Sequence, residues 1–220
     1  MTTEGPPMTR TAPSTPAAML IDRYLPRYDT TIVEHTVAES DLAATWQALC
    51  ALDLARVHSP VMDAAMAVRG LPDRLARLAG RPASPAPPAQ LPLRGGPSLP
   101  GWLSLGEVAE HEIALGAVGR FWQPVIEWYD VTGMTPEGFA AFAEPDWGKI
   151  AANFSLRPYG TSRTLVSYEA RTLVTEQDSA RRFARYWTLV RPFVGHIMRA
   201  TLATVTADAV RRGRVASPGS

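Results

Sequence analysis

RYWTLVRPFVGHIMRATL spans residues 185–202 in the last part of the chain. Its apolar residues recur at helical spacing, with Pro192 in their midst. Stepping by about 100° per residue from Val190 places Phe183, Trp187, Val194, Ile197, Thr201 and Val205 in one sector. Arg181, Arg185, His196 and Arg199 fall on the other side. A proline inside a helix removes a backbone hydrogen bond and crowds the preceding turn, costing about 3 kcal/mol or more. A long helix tolerates that where a bend is useful and where buried side chains offset the loss at about 1.5–3 kcal/mol each. Thr175 and Asp178 form a shortened capping box at its start. The expectation is a long, Pro-kinked, amphipathic helix closing the chain, with His196 on its polar side.

Upstream, KIAANFSLRP (149–158) and RTLVSYEARTLVT (163–175) flank a turn at Tyr159–Ser162 that contains Gly160, the pattern of a hairpin. WLSLGEVAEHEIALGAVGRFW (102–122) reads as two strands meeting near Glu110–His111, with Gly116 and Gly119 as bulge or bend points. Short strands are expected around Ile126–Val131 and Phe139–Phe142. Near the start, TTIVEHTV (30–37) alternates and is rich in β-branched residues, as a strand requires. Ser40 is expected to cap a helix whose apolar face is Leu42, Trp46, Leu49 and Leu52. A further helical stretch runs from Pro60 to Arg69, stopped by Gly70, with another turn or two over 72–79.

Two segments stand apart. Residues 1–18, dominated by Pro, Thr and Ser, read as a disordered tail, as do 213–220. RPASPAPPAQLPLRGGPSLPG (81–101) is too dense in proline for helix or central strand and reads as an extended or mobile inserted loop. The domain is therefore expected to be single and to span 19–212.

Composition narrows the classes. A formal net charge of +1 gives no global attraction for nucleic acid or anionic membrane. Cys50 is the one cysteine, so no intrachain disulfide is possible, and the four histidines carry no zinc spacing. No run approaches the roughly 20 apolar residues of a membrane span, and the opening residues lack the apolar core of a signal peptide. The expected location is cytoplasmic. Arginine in place of lysine, with many alanines and prolines, has the texture of a GC-rich bacterial genome. No phosphate loop, HExxH or CxxC is present, and GWLSLG (101–106) is one residue too long for a nucleophile elbow. The expectation is no cofactor and no metal.

The order of strand, short helices, about six antiparallel strands and a long final helix resembles the helix-grip fold of the SRPBCC superfamily, also called START-like or polyketide-cyclase-like. RYLPRYDTTIVEHTVAESDLAATWQAL (23–49) is similar to that family's opening strand and Trp-bearing helix. IALGAVGRFW (113–122) is similar to a mid-sheet segment, and LVSYEARTLVTEQDSARRFARYWTLVRPFVGHIMRATL (165–202) to its end. The resemblance covers roughly residues 20–205 and points to a bacterial branch. It implies an α+β fold with a curved antiparallel sheet of about six to seven strands around the helix, and a deep apolar cavity between them. It also implies a hydrophobic ligand, lipid-like or polyketide-like. Cofactor-free cyclase or dehydratase chemistry is one use of such a cavity; a non-catalytic carrier is another. A partner-binding module built on the 81–101 loop is a third reading.

Four residues are candidates for chemistry. His35 shares a strand face with Val33 and Val37 and would be a general base if that face looked into the cavity. Tyr168 shares a face with Val166 and Ala170, the more apolar set and so the one expected to look inward. Glu169 and Arg171 share the opposite face and would form a solvated pair of little energetic value; in the reversed register they would anchor a ligand carbonyl or carboxylate. Candidate ligand-lining residues are Trp122, Trp128, Phe154, Trp187, Val190, Val194 and Ile197, with Lys149 and Asn153 as possible donors to an oxygen-rich ligand.

Overall fold

Side-chain alternation along the strands builds a sheet with two chemically different faces. The structure, a computed structural model, describes residues 18–57, 91–97 and 99–216. The elements run α1 (Leu20–Tyr24), β1 (Thr30–Ala38), α2 (Leu42–Cys50), β2 (Trp102–Val108), β3 (Glu112–Arg120), β4 (Glu127–Trp128), α3 (Pro136–Ala141), β5 (Gly148–Tyr159), β6 (Arg163–Val174) and α4 (Gln177–Ala216). Six antiparallel strands form one sheet in the order β1-β6-β5-β3-β2, with β4 pairing the end of β3 that β2 leaves free. The sheet is curved and open, and α4 lies along it in a helix-grip-like α+β arrangement, as expected.

The inner face carries the main core. Ile113, Leu115, Phe154, Leu156 and Val166 from the sheet meet Ala48 and Leu49 of α2 and Leu202, Val205 and Ala209 of α4. These residues bury the C-terminal half of α4, and Met198 is buried with them. The N-terminal half is held more loosely: Phe183 is buried, but Trp187, Val190 and Val194 are half-buried. The helix is continuous through Pro192. Pro192 and Thr188 are both exposed, so the carbonyl that Pro192 leaves without a donor faces water rather than core.

The outer face is covered by α1 and α3, whose Ile21, Tyr24, Leu25 and Phe139 pack on Leu105, Ala114, Val118 and Ala151. Helices of five and six residues cannot persist alone. Buried charged side chains of the sheet satisfy their end groups. The Glu112 carboxyl accepts from the amides of Leu20 (2.7 Å) and Ile21 (3.3 Å) at the start of α1, and from Asn153 Nδ2 (2.6 Å). Arg171 donates to the Ile21 and Leu25 carbonyls at its end, and pairs with Asp22 at 2.8 Å and Glu169 at 2.6 Å. Lys149 Nζ donates to the carbonyls of Phe139 (3.1 Å) and Ala140 (3.0 Å) at the end of α3. Burial lowers the Lys149 pKa. The signs match the ends: carboxyl at an N-terminus, cations at C-termini.

Several local expectations need correction. Asp41, not Ser40, caps α2 by accepting from the Ala44 amide; the Ser40 hydroxyl donates instead to the Ala209 carbonyl and ties the start of α2 to α4. Phe139–Phe142 is not a strand: Thr135 caps a helix there, with Pro136 in its first turn. The register shift falls between Ser104 and Gly106, while Gly116 and Gly119 pair regularly. Gly116 is needed for space, since a Cβ would lie 3.0 Å from the Phe139 ring. Thr175 does not cap α4; its hydroxyl donates to the carbonyls of Glu144 and Trp147. Helix α4 runs through Ala216, past the expected domain end at 212.

The helical stretches expected at 60–69 and 72–79, the 1–17 segment, and most of the 81–101 loop lie outside the described residues. The end of that loop is firmly attached: Leu93 is fully buried, and its amide donates to the Leu52 carbonyl at 3.0 Å.

The Glu112 bonds give a direct stability prediction. Glu112→Ala leaves two α1 amides and the Asn153 amide without their acceptor, so unfolding free energy should fall on the order of 3 kcal/mol. Glu112→Gln retains an acceptor and should lose less. Urea denaturation of both variants measures this, and equal loss in the two would contradict the capping role.

Candidate functional site

The looser packing of the first half of α4 leaves an apolar pocket of about 210 Å³ between helix and sheet. Strands β5 and β6 supply its floor with Ile150, Ala152, Tyr168, Ala170 and Thr172. Phe183, Tyr186, Trp187, Val190 and Val194 of α4 form the roof, and Trp102, Phe121, Ile126 and Trp128 close one end. No charged side chain is among these residues. The small side chains of Ala152 and Ala170, opposite half-buried helix residues, make the space. Seven of the lining residues are aromatic (Trp102, Phe121, Trp128, Tyr168, Phe183, Tyr186 and Trp187).

Tyr168 and Thr172 are the polar side chains on the floor. The Tyr168 ring stacks on Phe154, with centroids 4.0 Å apart and planes 27° apart. Its hydroxyl has no hydrogen-bond partner among the described residues. The surface it keeps faces the pocket, and burial pushes its phenol pKa up to about 12. At one end of the floor Thr30 faces Thr172 across the β1–β6 pair, and the Thr30 hydroxyl is buried without a partner among the described residues.

The candidate catalytic residues are not gathered in one place. Tyr168 is in the pocket, on the face expected for it. His35 is directly opposite Ser167 in the β1–β6 pair, and its Nδ1 lies 2.8 Å from the Ser167 hydroxyl on the exposed outer side. Alternation puts Glu34, not His35, on the α4 side, where it pairs with Arg199. Glu169 and Arg171 also face outward, as the residues flanking Ala170 must. They are not the solvated pair expected, because α1 covers them and Arg171 is only 9% exposed. Stacking of the Arg171 guanidinium over Tyr28, 4.8 Å from the ring centroid, completes that enclosure.

Among the expected ligand-lining residues, Trp128, Trp187, Val190 and Val194 line the pocket. Trp122 stands behind it, edge-on to Phe183 with centroids 6.5 Å apart. Phe154 lies beneath Tyr168. Ile197 is displaced by Met198, which takes the buried position as the contact face rotates along the helix. Lys149 and Asn153 are on the outer face and serve α3 and Glu112. The residues that periodicity missed are chiefly Trp102, Phe121 and Tyr186. Nothing local marks them; Trp102 only reaches the pocket because β2 pairs with β3 in a register that sets it opposite Ala117.

No helix among the described residues is long and apolar enough to cross a membrane. No protein-family model matches the sequence, and no curated protein matches it. Among solved structures, a hypothetical protein from Helicobacter pylori is similar at a TM-score of 0.38 and 8% identity, over 93% of this chain and 99% of that one. A truncated norcoclaurine synthase from Thalictrum flavum is similar at a TM-score of 0.35 and 8% identity, over 87% and 95%. Likenesses of this size carry no functional argument.

Proposed function

We propose that the pocket beneath the first half of α4 binds the uncharged, planar ring of a hydrophobic small molecule, oriented by a hydrogen bond from Tyr168. The observation that carries this reading is the Tyr168 hydroxyl, without a protein partner among the described residues, in a recess lined mainly by apolar and aromatic side chains and by no charged one. That hydroxyl is reachable from the pocket, and a ligand carbonyl or ether oxygen would accept a hydrogen bond from it worth about 1 kcal/mol. Aromatic walls suit a ring system, since offset and edge-on contacts add to simple burial. The volume is below the roughly 300–1,000 Å³ of sites for drug-sized ligands, which favours a compact polyketide-like ring over a whole lipid.

Binding or carriage is better supported than cyclase or dehydratase chemistry. Acid–base catalysis needs a group that exchanges protons near neutral pH within reach of the ligand. His35, Glu169 and Arg171 sit on the other face of the sheet. Tyr168, with its pKa near 12, is a hydrogen-bond donor at neutral pH and not a base. The SRPBCC-like sequence motifs and the bacterial texture of the chain agree with such a binding protein, and its single cysteine suits a reducing cytoplasm.

Tryptophan fluorescence titration with naphthalene and 2-acetylnaphthalene tests this reading. Tyr168→Phe should weaken the ketone about 5-fold, the worth of one hydrogen bond, and leave naphthalene unchanged. Val190→Trp, which fills the pocket from the helix side, should weaken both at least about 10-fold. Equal affinities in all three proteins would overturn it.

The titration of Tyr168 gives a second check. A phenol that ionises near 10 when unfolded and near 12 when folded contributes stability fully present below pH 10 and lost as pH rises towards 12. Tyrosinate absorbance should show a late phase near pH 12 that is missing in Tyr168→Phe, and alkaline destabilisation between pH 10 and 12 should be shallower in that variant.

A further inference from the structure

A second recess of about 410 Å³ opens on the surface between residues 99–102 and 128–132. It shares Trp102 and Trp128 with the inner pocket, so the same two indoles form the partition between them. The walls are built on one residue of β3: the Val118 amide donates to the Gly101 carbonyl at 2.9 Å, and the Val118 carbonyl accepts from the Tyr129 amide at 3.1 Å. Gly101 has φ +76, and a Cβ there would lie 2.6 Å from Trp128 Cε3 and 2.7 Å from the Val118 oxygen. Trp128 is therefore wedged against Gly101 and fixed further by Phe121, edge-on with centroids 5.9 Å apart. Trp102 is half-buried at the first position of β2, tilted at 48° to Trp128 with centroids 6.4 Å apart. With Trp128 held by the Gly101 wedge, a passage between the two spaces requires Trp102 to turn.

We propose that this recess is the outer compartment of the same binding site, reached past Trp102, and that it selects an elongated ligand with a neutral or cationic tail. The inference rests on the proposed reading of the inner pocket and extends it. Two observations carry it beyond adjacency. Trp102 and Trp128 line both spaces, and the two spaces differ in chemistry, an aromatic recess without charge inside and a carboxylate outside. The outer residues include Asp130 and no lysine or arginine. The Asp130 carboxyl is held in place by the Thr132 amide at 3.0 Å. The Thr132 hydroxyl and amide together keep its pKa below the usual carboxylate range. An anionic tail would meet that charge without a counter-ion, whereas an ammonium or hydroxyl would be accepted. The ring of such a ligand lies under α4 with its oxygen at Tyr168, and its chain reaches the surface past Trp128 once Trp102 turns aside.

The test uses 2-acetylnaphthalene and its 6-hexyloxy derivatives ending in methyl, trimethylammonium or carboxylate, titrated at low and high salt. The protein's net charge of +1 gives no general preference for the cation. The expected result is that the ammonium tail binds at least about 5-fold tighter than the carboxylate at low salt, with the ratio shrinking at high salt. Asp130→Asn should bring that ratio close to one. Trp102→Ala, or the milder Trp102→Phe if the alanine variant folds poorly, should improve the methyl-ended tail relative to the tail-free ketone. If the ketone binds but tail charge and Trp102 leave these ratios unchanged, the outer compartment is refuted and the inner site stands. If the ketone itself fails to bind, both fall together.

Discussion

Strand alternation along β6 is the constraint on which the remaining structure depends. Tyr168, Ala170 and Thr172 point to α4, so Glu169 and Arg171 must point to α1. The pairing on either side transmits that choice: Tyr168 stands between Glu34 and Phe154, and Arg171 between Thr31 and Ala151. A slip of one residue would carry a guanidinium into the apolar pocket and strip α1 of its C-terminal cap. The buried polar set on the outer face makes such a slip prohibitive, because each of Glu112, Lys149 and Arg171 would lose the helix end it satisfies. The outer face thus holds the register that places Tyr168 in the pocket.

The same sheet treats the two halves of α4 differently. Past Gly195 the helix is pressed close: a Cβ on Gly195 would lie 3.2 Å from Glu34 Oε1 and 3.4 Å from Ile32 Cδ1. Arg199 pairs with Glu34 at 2.5 Å there, and Met198, Leu202, Val205 and Ala209 are buried. Before Pro192 the helix lies over alanines, leaving a recess. Leu189, on its outer side, is 80% exposed. Stability resides in the C-terminal half and in α2, whereas the first half forgoes packing and leaves space in which a ligand can be bound.

The sequence made the frame legible where periodicity is long. The final helix, the β5–β6 hairpin and β1 were readable from apolar spacing, and the inward face of β6 from its more apolar set. The side of the sheet that His35 takes is not legible in the sequence, because both faces of β1 carry β-branched residues and alternation alone gives no sign of which is inner. Arg171 and Lys149 look like solvated charges in sequence, since the helices that cover them are too short to signal themselves. Thr135-Pro136 did carry a helix-start signal for α3, hidden by the aromatic residues that follow. Trp102 entered the site through sheet register, a property of two distant segments that no local pattern contains.

The inner face, between α4 and β5–β6, holds an apolar space with Tyr168 at its edge. Xenon occupies such spaces without needing shape or hydrogen bonds. Diffraction from xenon-pressurised crystals should show a site bounded by Ala152, Tyr168, Val190 and Val194. Crystals in which xenon orders elsewhere, with the side chain of Trp187 or Phe183 filling that position, would show that no such space exists.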